Sequence, residues 1–325
     1  MIHLVTGSAG FLGYHLAKAL AEDPSNDVIC VDNNSRGRYD ASYDALVRRT
    51  NVQHIGADLT DLAAVSALPD AVDIIFHLAA LNGTQNFYDR PLEVMRSGTL
   101  PTLHLLQKYG PARRLKRFVF AGTSESYASI VTRFGWPVPT AEDVPLGIDD
   151  VLNPRWSYAA SKIHGEVATV SGCRQHGIDF SIVRYHNAYG PRMGDQHVIS
   201  DFYARARKGV YALHGHEDTR SFIYAEDAVR ATIAVASAAA AADEVVNVGS
   251  AREISIGRLA ELMMDAANLR GEIELHPSPA GSVGRRCPDV AKLERLTGFR
   301  ENWTLEAGLR ATAAYCLRDD ASRIE

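Results

Sequence analysis

Thr6-Gly7-Ser8-Ala9-Gly10-Phe11-Leu12-Gly13 decides the fold. A β-branched run at residues 2–6 precedes it, and Phe11, Leu12, His15, Leu16, Ala19 and Leu20 follow at helical spacing. Glycines at positions 7, 10 and 13 permit a tight turn, a close backbone approach to a pyrophosphate and close helix–strand packing. The helix that begins there points unpaired amides and the positive end of its dipole at the phosphates. Asp32 ends a second strand-like run, 19 residues past Gly13. An acid at that spacing accepts the adenosine ribose hydroxyls and repels a 2′-phosphate, so NAD is favoured. Arg36, close by, is the feature that keeps NADP open.

Working outward, strand-like runs recur at 28–32, 52–55, 73–78, 117–122 and 180–184, with helical patterns between them. This alternation predicts an α/β fold of Rossmann type, a doubly wound parallel sheet. Ile74-Ile75-Phe76 and Phe118-Val119-Phe120 are continuously apolar, as strands buried on both faces should be. Past Tyr185 the elements shorten. Residues 1–185 are expected to form the dinucleotide-binding domain, joined by part of 220–250 through a strand at 245–248. Residues 186–325 are expected to form a smaller α/β substrate-binding domain, with helices at 200–208, 225–241, 256–268 and 305–317. The alanines at 238–242 read as the end of the second of these helices.

The 325 residues are 46% hydrophobic and 22% charged, ordinary for a globular chain and unlike disordered or fibrous classes. Thirty-four basic residues against 39 acidic ones leave no footprint for nucleic acid or an anionic membrane. Cys30, Cys173, Cys287 and Cys316 lie far apart, which argues against a disulfide scaffold and a zinc site and suits a reducing cytoplasm. The stretch from 231 to 242 is too short to span a bilayer. A cytoplasmic enzyme is expected, with no bound metal.

Tyr158 and Lys162 stand four apart in a helical segment and share one face. A phenol with a pKa near ~10 is a poor base at neutral pH. A neighbouring ammonium stabilises its phenolate and lets it take a proton from a hydroxyl. Thr123-Ser124-Glu125-Ser126-Tyr127 follows the strand at 117–122, at the carboxyl edge where α/β ligands bind. A hydroxyl in this segment is placed to hydrogen-bond the reacting oxygen.

Together these segments resemble the extended short-chain dehydrogenase/reductase family, in its nucleotide-sugar epimerase/dehydratase branch. The resemblance spans nearly the whole chain. It is carried by the glycine turn, Asp32, Asp58-Leu59, His77-Leu78-Ala79-Ala80, the Thr-Ser-Glu segment, and Tyr158 with Lys162. Asn187-Ala188-Tyr189-Gly190-Pro191-Arg192, Arg220-Ser221-Phe222-Ile223-Tyr224 and Arg286-Cys287-Pro288-Asp289 extend it. The resemblance implies tightly bound NAD on Gly7, Gly10, Phe11, Leu12, Gly13, Asp32 and Asn33. Asp58 and Leu59 would flank the adenine, and Leu78, Ala79 and Ala80 would line the cleft. Thr123, Tyr158 and Lys162 would be catalytic, with Ser124 and Glu125 beside them. Asn187, Arg192, His197, Val198, Arg220, Arg286 and Asp289 would bind a nucleotide-diphosphate sugar. Helices near 92–109 and 157–176 would pair with their copies in a homodimeric four-helix bundle.

The implied first step is oxidation at sugar C4. C4 epimerisation then needs little beyond Thr123, Tyr158 and Lys162, and it is the leading expectation. A 4,6-dehydratase or a UDP-glucuronate-type decarboxylase is the alternative, because Thr-Ser-Glu resembles segments in which the acid serves chemistry after oxidation. A net NAD(P)-dependent oxidoreductase would not need Arg220 and Arg286 as a diphosphate clamp, and non-catalytic dinucleotide sensors commonly lack the tyrosine–lysine pair. Residues 129–154 are expected to shape the sugar pocket.

Overall fold

The computed structural model describes residues 1–195, 197–278 and 283–318. Alternation begins with β1 (Ile2–Thr6), α1 (Phe11–Leu20), β2 (Asp27–Asp32), α2 (Ala41–Val47), β3 (Val52–Gly56), α3 (Leu62–Ser66) and β4 (Ile74–His77). It continues through α4 (Thr84–Asp89), α5 (Pro91–Tyr109), β5 (Arg117–Thr123), α6 (Glu125–Phe134), α7 (Ser157–His176) and β6 (Asp179–Tyr185). Each strand from β1 to β5 is followed by at least one helix, so these strands and β6 run parallel. Every residue of β4 is buried, in keeping with its unbroken apolar run.

Shorter elements follow: β7 (Ala188–Tyr189), α8 (Val198–Ala206), β8 (Ala212–His214), β9 (Thr219–Ser221), β10 (Ile223–Tyr224) and α9 (Ala225–Ser237). Then come β11 (Glu244–Val248), β12 (Glu253–Ser255), α10 (Ile256–Ala266), β13 (Glu274–His276), β14 (Arg285–Arg286), α11 (Ala291–Thr297) and α12 (Leu305–Cys316). The central sheet has seven strands in the order β11-β6-β5-β4-β1-β2-β3. Strand β11 pairs parallel to β6, so a late segment completes the early sheet. The strand order reverses between β1 and β4, which opens a crevice at their carboxyl ends.

One apolar layer packs α1 and α9 on the sheet through Leu16, Ala17, Ala228 and Val235; the opposite layer gathers Leu105, Phe118, Phe120 and Cys173. A separate core of Phe202, Tyr203, Leu259, Met263 and Leu309 lies under α8, α10 and α12. A small sheet, β12-β9-β14, sets Arg286 in register with Arg220.

The helix expected over 225–241 breaks instead at Ser237, and residues 239–241 form a separate 3₁₀ turn. Alanine propensity is overridden by Arg117, buried on β5, whose Nη1 donates to the carbonyls of Val235 and Ala238 at 3.3 and 3.2 Å. Residues 129–154 also depart from expectation, since none of them lines the main cavity. Thr140 in that segment pairs with the backbone of Cys287 and Asp289, and Glu142 accepts the Asn247 amide at 2.9 Å. The segment therefore straps α6 to the β11 edge.

Candidate active site

A cavity of about 800 Å³ follows the carboxyl edge of the sheet from Asp32 to Arg286. Its first end is built by the glycine turn. Gly7 adopts φ +69°, and a Cβ on Gly13 would run into the Gly7 carbonyl, so α1 is pressed against the turn. Gly10 caps α1 without a side-chain bond, leaving first-turn amides at the cavity wall unclaimed by the protein. Asp32 is buried at the end of β2, where its two oxygens accept the amides of Ala9 and Asn34 at 3.0 and 2.7 Å. Asn33, Asp58, Leu59, Leu78, Ala79 and Ala80 continue the wall. These residues fit a dinucleotide: bare helix amides that would hold its phosphates, and a fixed carboxylate that would accept ribose hydroxyls.

His77 in the same stretch is a structural pin. Thr6 Oγ1 accepts the amides of Leu78 and Ala79, both at 3.1 Å, so its hydroxyl donates to His77 Nδ1 at 2.8 Å. That leaves His77 Nε2–H to donate to Thr102 Oγ1 at 3.1 Å. Burial holds the ring neutral, with its pKa pushed down to about 3.

The reacting end joins three elements. Thr123 closes β5, Ser124 and Glu125 start α6, and Tyr158 and Lys162 project from one face of α7; all five line the cavity. Lys162 Nζ donates to the Ala121 carbonyl at 2.8 Å and lies 4.9 Å from the centre of the Phe120 ring. Burial lowers its pKa to about 8, against the opposing charge of Glu166. Tyr158 stacks on Phe87, with centroids 5.1 Å apart. The sequence suggests a tyrosine activated by Lys162, yet burial first and Glu125 second push its pKa up to about 12. Arg36 and the Thr123 hydroxyl oppose that rise. The phenol is thus neutral until further positive charge is placed beside it.

At the far end Glu125 meets Arg286 at 2.7 Å and Arg155 at 3.6 Å. Burial alone would lift its pKa, but the two guanidinium groups more than offset this and keep it below the usual carboxylate value. Arg155, whose guanidinium also lies over Trp156, was missed by the sequence reading because no motif marks it. Phe87 is a further cavity residue that sequence patterns did not assign a place, and Arg36, read from the sequence only as bearing on NADP, lines the cavity as well.

The expected substrate residues divide. Asn187, His197 and Arg286 line the cavity. Asn187 adopts φ +37° and donates to the Ser221 carbonyl at 2.8 Å, while His197 has its pKa lowered by burial and by Arg36. Arg220 stands behind Arg286, donating to the Thr219 carbonyl at 2.7 Å, with its pKa lowered to about 10 by burial and by Arg286. Three of the expected residues are engaged elsewhere. Arg192 touches the cavity wall, but its guanidinium is spent on Asp40, the carbonyls of Ala9 and Arg38, and the face of Tyr14. Asp289 accepts the Ala291 amide at 2.8 Å two residues before α11 begins and is not among the residues that line the cavity. Val198 starts α8 and packs on the second core.

The sequence pattern of the NAD dependent epimerase/dehydratase family matches residues 3–249. The chain is 32% identical to a UDP-N-acetyl-alpha-D-glucosaminuronate decarboxylase of Bacillus cytotoxicus, over 95% of each chain. It is likewise 32% identical to UDP-glucuronic acid decarboxylase 1 of Xenopus tropicalis, covering 96% of this chain and 71% of that one. The crystal structure of a UDP-glucose 4-epimerase from Thermotoga maritima superposes with a TM-score of 0.84 at 27% identity, over 97% of this chain and 98% of that one. With its seven-stranded parallel sheet and its glycine turn beside Asp32, the chain belongs to the NAD dependent epimerase/dehydratase family and is an NAD-dependent enzyme of sugar-nucleotide modification.

Proposed function

We propose that the chain decarboxylates a nucleoside-diphosphate uronic acid after oxidising it at C4. The observation that carries this reading is the ion pair of Glu125 with Arg286 beside Thr123 and Tyr158. C4 epimerisation, first in the sequence reading, uses the same Thr123, Tyr158 and Lys162 but has no need of a carboxylate clamped between arginines. Dehydration needs an acid for the departing C6 hydroxyl, and a Glu125 held ionised is a poor proton donor. Arg286 offers a planar fork that matches a sugar carboxylate, with Arg155 and Arg220 adding positive charge behind it.

Bound NAD supplies the hydride acceptor. The turn from Gly7 to Gly13, with Asp32, Asp58 and Leu59, would hold its adenosine and phosphates; Leu78, Ala79 and Ala80 would flank it, and Lys162 would hold the second ribose. Tyr158 takes the C4 hydroxyl proton while Thr123 hydrogen-bonds the same oxygen. The resulting ketone lies β to the carboxylate, so the C5–C6 bond can break with its electron pair drawn toward the C4 oxygen. Carbon dioxide leaves and C5 takes up a proton from water. Return of the hydride to C4, with the proton held by Tyr158 given back to the C4 oxygen, would then restore the oxidised cofactor and close the cycle. In this reading 1–185 with β11 is the cofactor half and 186–325 the substrate half.

Mass spectrometry and NMR of products from UDP-, GDP-, CDP- and dTDP-linked sugars and uronic acids test the assignment. Loss of carbon dioxide supports it, unchanged mass means epimerisation, and loss of water means dehydration. Glu125→Gln should cut product formation by about 10²-fold or more. If turnover and product are unchanged, Glu125 has no part in the chemistry.

We also infer a homodimer through α5 and α7. Their surface exposes Leu92 (81%) and Val167 (60%), and Gly98 on α5 packs directly against Ser161 on α7. Light scattering at micromolar concentration should give twice the chain mass, and a monomeric mass would refute the bundle. A reducing, cytoplasmic setting agrees with Cys30, Cys173 and Cys287, which are buried free thiols. Among the described residues no helix is long and apolar enough to cross a membrane.

A further inference from the structure

Arg36 lies in the loop between β2 and α2 and lines the cavity together with Gly10, Asp32, Tyr158 and His197. Among the described residues it has no hydrogen-bond or ion-pair partner. The loop around it is nevertheless fixed. Arg38 Nη2 binds both carboxylate oxygens of Asp195 at 3.1 Å, and the Arg38 amide donates to the Ala9 carbonyl at 3.0 Å. Asp40 pairs with Arg192.

Across the cleft, Gly194 makes room for the guanidinium, since a Cβ there would come within 3.0 Å of Arg36 Nη2. The side chain thus leaves the Asp32 end of the cavity and reaches toward Tyr158, whose pKa it helps pull down. Two positive features, this guanidinium and the uncapped α1 N-terminus, face one cavity. Among the described residues neither forms an ion pair, and Asp195, the carboxylate that attracts Arg36 from a distance, is already bound through both oxygens by Arg38. Such an arrangement is unfavourable until an anion lies between them. The anion belongs between the ribose held at Asp32 and the one at Lys162, which is the span of a dinucleotide's bridging diphosphate.

We propose that Arg36 is the second jaw of a pyrophosphate clamp, closing on the NAD diphosphate from the side opposite the α1 N-terminus. It does not mark a 2′-phosphate site, because the negative charge of Asp32 stands where that phosphate would be.

The test compares the purified enzyme with Arg36→Ser and Arg36→Lys. The NAD that each retains is released by acid and quantified, and each is titrated calorimetrically with NAD, NADP, ADP-ribose and AMP after the retained cofactor is removed. Arg36→Ser should weaken NAD and ADP-ribose by about tenfold or more while AMP changes less than about twofold, with Arg36→Lys in between. Unchanged NAD retention and affinity would overturn the proposal, as would equal losses for NAD and AMP. A loss confined to NADP would place the guanidinium at the 2′-phosphate and overturn it too. Circular dichroism of the cofactor-free variants confirms that any loss is not misfolding. None of these readings depends on which reaction follows oxidation.

Discussion

Lys162 is the residue whose charge most directly conditions the site. Its Nζ is buried against the Phe120 ring, and the pKa falls to about 8 because water is excluded. The ammonium is therefore present below about pH 8 and lost above it. kcat/KM should fall on the alkaline side with a limb near 8, and Lys162→Arg, charged throughout, should lose that limb even if slower. The same shift bears on stability. Between about pH 8 and the ordinary lysine value of 10.5 the unfolded lysine keeps a proton that the folded one has released, so raising pH through that window favours the folded state. Tyr158 and Lys162 were legible in the sequence because helical spacing alone aligns positions four apart. Arg155 was not, since its meeting with Glu125 joins two separate elements and leaves no periodic trace. Arg192 and Arg286 looked alike in their motifs, and only tertiary packing sent one to Asp40 and the other to Glu125.

At the scale of the element, α7 carries most of the chemistry, and β5 sets its height. Gly165, one turn after Ser161, faces Phe120, and a Cβ there would strike the ring. Phe120 in turn supports Lys162, so the helix can sit this close only without a side chain at 165. Gly165→Ala should cost about 1–3 kcal/mol in urea unfolding and lower turnover by displacing the Lys162–Tyr158 face, although neither residue is altered. An unchanged pair of values would mean that Phe120 rotates away freely. At the next position, Glu166 pairs with Arg184 at 2.8 Å, each side chain 5% exposed, tying α7 to β6. The strands and the long helices were foreseeable to within a few residues, because buried parallel strands and amphipathic helices impose their own patterns. The early end of α9 was not, because it depends on a guanidinium from β5.

For the whole molecule, the two cores meet along the loop after β2 and the segment following β7. His15 Nε2 contacts the Pro191 carbonyl at 2.9 Å, Arg38 joins Asp195, and Arg192 joins Asp40. Only the last is buried, with the Arg192 side chain 4% exposed. The exposed Arg38 pair contributes little, whereas removing one partner of a buried pair leaves an uncompensated charge. Asp40→Asn keeps the shape but strands the Arg192 cation, and should destabilise the chain by about 3 kcal/mol in equilibrium urea unfolding. Adding Arg192→Met removes the stranded charge, so the double variant should recover most of that loss. If the double variant is as unstable as Asp40→Asn, the pair is not what joins the two cores. If Asp40→Asn costs nothing, the carbonyls of Ala9 and Arg38 suffice to hold the guanidinium, and the loop carrying Arg36 is positioned by them alone.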